Sequence, residues 1–152
     1  MHLTIAAVGR VKAGPLRGLY EEYAGRLNWP LSLREVEVKR PLSVEERKRE
    51  EARLLSAALP PGAVLVVLDE RGANLSSETF AERLREWRDG GAAEVAFIIG
   101  GADGIDRSLR DRAGLVLCFG TMTWPHQLVR GMLVEQIYRA QQILAHHPYH
   151  RP

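Results

Sequence analysis

Ala63-Val-Leu-Val-Val-Leu68 is an apolar run with no polar residue inside it, set between Pro60-Pro61-Gly62 and Asp69-Glu-Arg-Gly72. A run of that length, bounded by turn residues, reads as a strand covered on both faces, as in the middle of a parallel sheet. Two later runs have the same character. Val95-Ala-Phe-Ile-Ile99 is stopped by Gly100-Gly101, and Leu115-Val-Leu-Cys-Phe119 is followed by a loop, Gly120 to Pro125. Helical patterns separate them. Ser76 or Ser77 caps a helix carrying Phe80, Leu84 and Trp87 that Gly90-Gly91 ends, and a short helix is predicted from about Asp106 to Arg112. Upstream the alternation continues. Leu3 to Val8 reads as a buried strand, Leu16 to Leu27 as a helix with Pro15 at its start, and Leu31 to Val38 as a strand. Ser43-Val-Glu-Glu46 is a capping box opening a helix to about Ala58. The last helix, from His126 to about Ala145, carries Val129, Leu133, Ile137, Ala140 and Leu144 on one stripe, widened by Leu128, Met132 and Ile143. That stripe is broader than one sheet face needs, so subunit contact is expected as well. The alternation predicts an α/β fold, a twisted parallel-type sheet flanked by helices.

The 152 residues fit a single domain, residues 1–152. With 45% hydrophobic and 26% charged residues, the composition excludes a wholly disordered or coiled-coil chain. No apolar run approaches the ~18–20 residues that span a bilayer, and Leu3 to Val8 is too short for a signal peptide. The single cysteine, Cys118, excludes an internal disulfide; inside an apolar strand it reads as a small buried hydrophobe. A soluble, cytoplasmic protein without a membrane partner is expected. The net charge of +2 excludes a binder driven by bulk basicity, so any nucleic-acid contact requires a local patch. The charge run Glu45 to Arg53 reads as a solvated helix face.

Open parallel sheets bind ligands beyond the carboxyl ends of their strands. Three loops fall there together: Asp69 to Gly72, Gly100 to Gly104 and Gly120 to Pro125. Gly100-Gly-Ala-Asp-Gly104 lacks the spacing and position of a dinucleotide fingerprint, and neither a phosphate-binding Walker sequence nor a G-x-S-x-G elbow occurs. Four histidines come late, at His126, His146, His147 and His150, but no cysteine or carboxylate partners them at a ligand spacing, so no metal is expected. The terminus His147-Pro-Tyr-His-Arg-Pro152 is rich in recognition groups and reads as a docking segment, for a partner subunit or an anionic substrate.

Four segments, Phe97-Ile-Ile-Gly-Gly-Ala-Asp-Gly104, Thr123-Trp-Pro-His-Gln-Leu-Val-Arg130, Glu135-Gln-Ile-Tyr-Arg-Ala140 and His147-Pro-Tyr-His-Arg151, occur in that order. Together with Val8-Gly9 and Leu68-Asp69, they resemble the ribosomal RNA large subunit methyltransferase H family of the SPOUT class over the whole chain. The resemblance implies a C-terminal trefoil knot, a rare exception to the rule against threaded chains. It also implies a homodimer, S-adenosylmethionine as cofactor, and N3 methylation of pseudouridine 1915 in helix 69 of 23S ribosomal RNA, on the assembled ribosome. Carried over by position, the cofactor pocket is Leu68, Gly101, Gly120, Thr121, Met122, Thr123, Trp124 and Pro125. Methyl transfer needs a nucleophile held in line and, for a protonated ring nitrogen, a route for the proton. Arg130, Tyr149 and His150 are the expected catalytic groups, and Arg10, Lys12, Arg17, His126 and Arg151 the expected RNA contacts. Two other readings remain open: an enzyme acting with a different nucleotide-like ligand, and a non-catalytic ribosome-binding or RNA-binding assembly factor.

Overall fold

The computed structural model describes residues 1–152. Strands and helices alternate throughout as β1 (His2–Val8), α1 (Pro15–Ala24), β2 (Leu31–Val36), α2 (Val44–Ala57), β3 (Val64–Asn74), α3 (Ser77–Asp89), β4 (Glu94–Ile99), α4 (Arg107–Arg112), β5 (Leu115–Cys118) and α5 (His126–Leu144). The five strands form one sheet in the order β2-β1-β4-β3-β5, and every pairing is parallel. Ile5 lies opposite both Leu33 and Phe97, and Val66 opposite both Phe97 and Leu115. The predicted α/β parallel sheet is therefore the observed one.

The apolar runs are uninterrupted because both faces are covered. Leu3, Ile5 and Ala7 of β1 pack into a core with Tyr20 of α1, Phe80 and Leu84 of α3, and Leu133 and Ile137 of α5. The intervening Ala6 and Val8 pack on the other face with Ala52 and Leu55 of α2 and Leu109 of α4. Helix α5 lies against both α1 and α3, which accounts for much of its broad apolar stripe. Gly131 lets α1 come close: a Cβ there would stand 2.6 Å from Leu19 Cδ2. No helix is long and apolar enough to cross a membrane.

Local signals set most boundaries. Ser76, rather than Ser77, caps α3 by accepting from the Thr79 N–H at 3.1 Å, and Ser43 caps α2 in the same way from Glu46 at 3.2 Å. Helix α4 starts one residue late because Asp106 is its cap, bound to the Ser108 N–H at 2.9 Å. Helix α1 begins at Pro15 and ends at Ala24, short of Leu27, and β2 stops at Val36 rather than Val38. The main departure from the sequence reading is Asp69 to Gly72. These residues form no strand-ending loop but a bulge within β3, which runs to Asn74. Leu68 and Ala73 both lie opposite Leu117, so the residues between them are extruded from the ladder. Asp69 Oδ1 accepts from the Arg71 N–H at 2.8 Å, a local turn inside the strand. Gly72 then passes directly across β5: a Cβ there would be 2.7 Å from the backbone of Leu117. In sequence the glycine suggests a turn; in the structure it permits close backbone approach.

Candidate functional site

The carboxyl ends of β3, β4 and β5 open into a cavity of about 610 Å³. Leu68 ends the apolar part of β3, Ile99 ends β4 and Leu117 comes from β5, so the sheet itself makes an apolar wall. The Gly120–Pro125 loop makes the facing wall. Of the residues expected here, Leu68, Gly101, Gly120, Met122, Thr123, Trp124 and Pro125 line the cavity, whereas Thr121 is exposed and lies outside it. Trp124 pins the loop by donating its indole N–H to the Phe119 carbonyl at 3.1 Å. Met122 (74% exposed) and Trp124 (41% exposed) leave large apolar surface at the mouth.

The lining glycines divide by role. Gly104 (φ +86°) and Gly120 (φ +102°) have open space where a side chain would begin, so bare backbone faces the cavity. Gly100 and Gly101 instead close the floor. A Cβ on Gly100 would lie 2.5 Å from Ile105 Cγ1, and one on Gly101 would lie 3.1 Å from Val8 Cγ1. Apolar walls with backbone donors and acceptors exposed between them suit a flat heteroaromatic group with polar edges.

His126, in the first turn of α5, also lines the cavity. Burial, reinforced by the charge of Arg130, lowers its pKa, so the imidazole is neutral at pH 7. The unfolded chain therefore binds more protons than the folded one as pH falls below about 6.5, and stability falls with it. His126→Asn is expected to flatten the decline in melting temperature between pH 7 and 5.5, measured against the wild type; an unchanged slope would refute this assignment.

Arg130 lies one turn further along α5 and is only 1% exposed. Its Nη1 donates to Glu35 Oε2 at 2.6 Å, and Nη2 donates to the carbonyls of Val8 at 3.1 Å and Gly9 at 2.7 Å. Glu35 also accepts from the Val11 N–H at 2.9 Å. Burial opposes ionisation of this carboxyl, but the bonds from Arg130 and Val11 prevail and hold it below the usual carboxylate range. Arg130 thus ties α5 to the ends of β1 and β2 and does not line the cavity. The guanidinium is fully enclosed by protein, and in this structure it makes no contact with the cavity space.

Tyr149 and His150 are also away from this cavity. The chain after α5 folds back along the helix, where Tyr149 donates its hydroxyl to Glu135 Oε1 at 3.0 Å. Burial and that bond push the phenol well above its usual range. Arg139 donates to the same oxygen at 2.6 Å and lies over the Tyr149 ring at 4.9 Å. His150 Nε2 meets Glu78 Oε1 of α3 at 2.7 Å. Of the expected RNA contacts other than His126, none lines the cavity. Arg10 is 3.8 Å from Glu37, Arg17 pairs with Glu21 at 2.8 Å along α1, and Lys12 and Arg151 are exposed without an ion-pair partner. No three or more His, Cys, Asp or Glu side chains are placed to hold a metal ion.

Sequence reasoning missed four charged residues. Glu35 gives no signal beyond its place in an alternating strand. Arg71 and Arg110 sit where a bulge and a short helix bring them to the cavity. Lys48 was hidden in the Glu45–Arg53 charge run; the available signal was that α2 must start at the carboxyl edge of the sheet, beside the three loops.

Comparison with known proteins agrees with this geometry. A family described as "Predicted SPOUT methyltransferase" matches residues 1–150. The chain is 65% identical over 151 residues, 99% of both chains, to the ribosomal RNA large subunit methyltransferase H of Rhodospirillum centenum. It is 57% identical over 152 residues, the whole of both chains, to the protein of that name from Paramagnetospirillum magneticum. Among solved structures it is similar to the SpoU methyltransferase AviRb from Streptomyces viridochromogenes, with TM-score 0.51 and 14% identity over 96% of this chain. The match spans 61% of that longer protein, which has also been solved in complex with the cofactor AdoMet.

Proposed function

This chain belongs to the SPOUT methyltransferase family, and we propose that within it residues 1–152 act as one domain that methylates large-subunit ribosomal RNA using S-adenosylmethionine. The finer reading is N3 methylation of the helix 69 pseudouridine of 23S RNA on the assembled ribosome, by a cytoplasmic homodimer. The observation that carries the proposal is convergence. Motif loops separated by about fifty residues of chain meet at one cavity whose walls are apolar and whose backbone is bare at Gly104 and Gly120. Those features fit an adenosine group.

When bound, S-adenosylmethionine supplies a methyl group already activated by its sulfonium. The chain's own task is placement, with the nucleophile and methyl carbon held in line at about 3–3.5 Å. Leu68, Met122 and Trp124 would enclose the adenosine, and the loops around Gly101 and Gly120 would read its polar edge. His126, neutral at pH 7, can take a proton on its imidazole at the cavity wall. Tyr149 and His150 face away from the cavity of their own chain, so a role for them in proton handling requires a second copy. A knot is supported by the crossing of β3 over β5 at Gly72, followed by the return of α5 to lie between α1 and α3.

The test uses purified protein, methyl-labelled S-adenosylmethionine and ribosomes from a strain lacking the modification. Label is expected on the helix 69 pseudouridine. Ribosome binding without transfer, and without cofactor binding by calorimetry, would favour the non-catalytic assembly factor instead.

A further inference from the structure

The cavity has a charged half that the adenosine-binding loops do not use. Lys48 of α2, Glu70 and Arg71 of the β3 bulge, Asp103 and Arg110 form its rim. Two acids are already neutralised: Asp103 lies 3.6 Å from Arg47, and Asp69 lies 3.5 Å from Arg110. Neither Lys48 nor Arg71 makes an ion pair within 4 Å, although the charge of Lys48 reaches the Asp106 carboxylate at longer range. On its own helix Lys48 has an acid three residues before it, the exposed Glu45, with which it makes no ion pair, and one three residues after it. The acid three residues on, Glu51, is only 6% exposed and turns under the glycine loop, 3.4 Å from where a Gly101 Cβ would stand. It is therefore unavailable for the usual helical pairing. For Arg71, the neighbouring Asp69 is occupied by Arg110 and by the Arg71 N–H. Two elements thus present one free cation each at the same mouth.

We infer that Lys48 and Arg71 grip the phosphodiesters flanking the target nucleotide. A nucleotide entering the cavity base first carries a phosphate on either side, and two free cations on separate rim elements match that pair. This deepens the RNA methyltransferase reading and rests on it. It places the backbone contact on the side of the sheet covered by α2 and α4, whereas Arg10 and Lys12 sit on the loop leading to α1. Glu70, exposed and without a cation partner, opposes the same phosphates.

Lys48→Met, Arg71→Met and the double variant test it, alongside Glu70→Gln. Arg83→Met on α3 serves as control. Each cation removed is expected to raise the KM for ribosomes about three- to tenfold, with kcat unchanged, and to reduce the slope of log affinity against log salt by about one. Binding of S-adenosylhomocysteine, measured by calorimetry, should not change. Glu70→Gln should lower the ribosome KM, and Arg83→Met should match the wild type. Wild-type KM and salt slope in the double variant would overturn the inference. So would a tenfold loss of S-adenosylhomocysteine affinity with an unaltered salt slope, which would assign the cations to the cofactor carboxylate. A wild-type protein that transfers no methyl group would defeat the methyltransferase reading separately. Ribosome cosedimentation of the same variants would then decide the phosphate contact by the same salt slope.

Discussion

Arg130→Met is expected to destabilise the fold by about 3–5 kcal/mol, the usual consequence of breaking an enclosed ion pair by removing one partner. For a chain of this size that lowers the melting temperature by roughly 10 °C. Methionine keeps much of the volume, so the loss reports the polar bonds rather than a cavity. Three acceptors lose the Arg130 donor: the carbonyls of Val8 and Gly9, and the Glu35 carboxylate, which keeps only the Val11 N–H. The pH dependence separates the ion pair from the carbonyl bonds. The pKa of Glu35 is depressed in the folded state, so its contribution is fully present above the unfolded value of about 4.3. It is lost as pH falls through the folded value. The stability gap between wild type and variant should therefore narrow in acid below about pH 4, leaving a residue due to the two carbonyls. Adding Glu35→Leu to Arg130→Met should recover part of the loss, because the stranded carboxylate is then gone. A variant as stable as the wild type would show that the bonds in the structure contribute nothing. The same substitution frees the Gly9–Val11 turn, against which His126 rests, so weaker cofactor binding should accompany it.

Arg130 also shows what a sequence can and cannot disclose. Its place in the Thr123–Arg130 motif was legible, but its partner Glu35 lies 95 positions away in a strand whose pattern marks it as ordinary. A buried arginine is visible in sequence only if the carboxylate facing it is known, and that requires the β2–β1–β4 strand order. Four of the strands were legible because each carries an apolar run, β2 because of its alternation, and the caps at Ser43 and Ser76 because their bonds are local. The cavity followed from the rule that ligands sit at the carboxyl ends of parallel strands. The positions of Tyr149 and His150 did not follow, since they depend on how the chain turns after α5. Its return along that helix is fixed by Glu135 and Glu78, contacts with no sequence periodicity. The Glu45–Arg53 run fared in between. Arg53 does pair with Glu50 on a solvated face, as the composition suggests, whereas Lys48 looks into the cavity.

Gly72→Ala should be the most disruptive single methyl group that can be added to this chain outside the cavity walls. The new Cβ would stand 2.7 Å from three backbone atoms of Val116 and Leu117, where no side chain can rotate away. Relief requires β5 to move or the β3 bulge to lift; overpacking typically costs about 1–3 kcal/mol, and a rigid backbone neighbour puts this site at the upper end, about 3 kcal/mol. The melting temperature is expected to fall by roughly 6–12 °C. Activity should suffer beyond what instability explains, because β5 leads directly into the Gly120–Pro125 wall. A shift of β5 carries Leu117, Phe119 and Gly120 with it, so S-adenosylhomocysteine affinity should drop at least tenfold at temperatures where the variant is still folded. Gly62→Ala provides the contrast. That glycine lies in the turn between α2 and β3 with φ +70°, and a Cβ there meets nothing within 4 Å. Its cost is backbone strain alone, about 1 kcal/mol, with cofactor affinity intact. If the two variants behave alike, Gly72 serves only as a turn residue and the close crossing of β3 over β5 is not a constraint on the site. If Gly72→Ala alone loses the cofactor, the crossing is what holds the cavity's far wall in place.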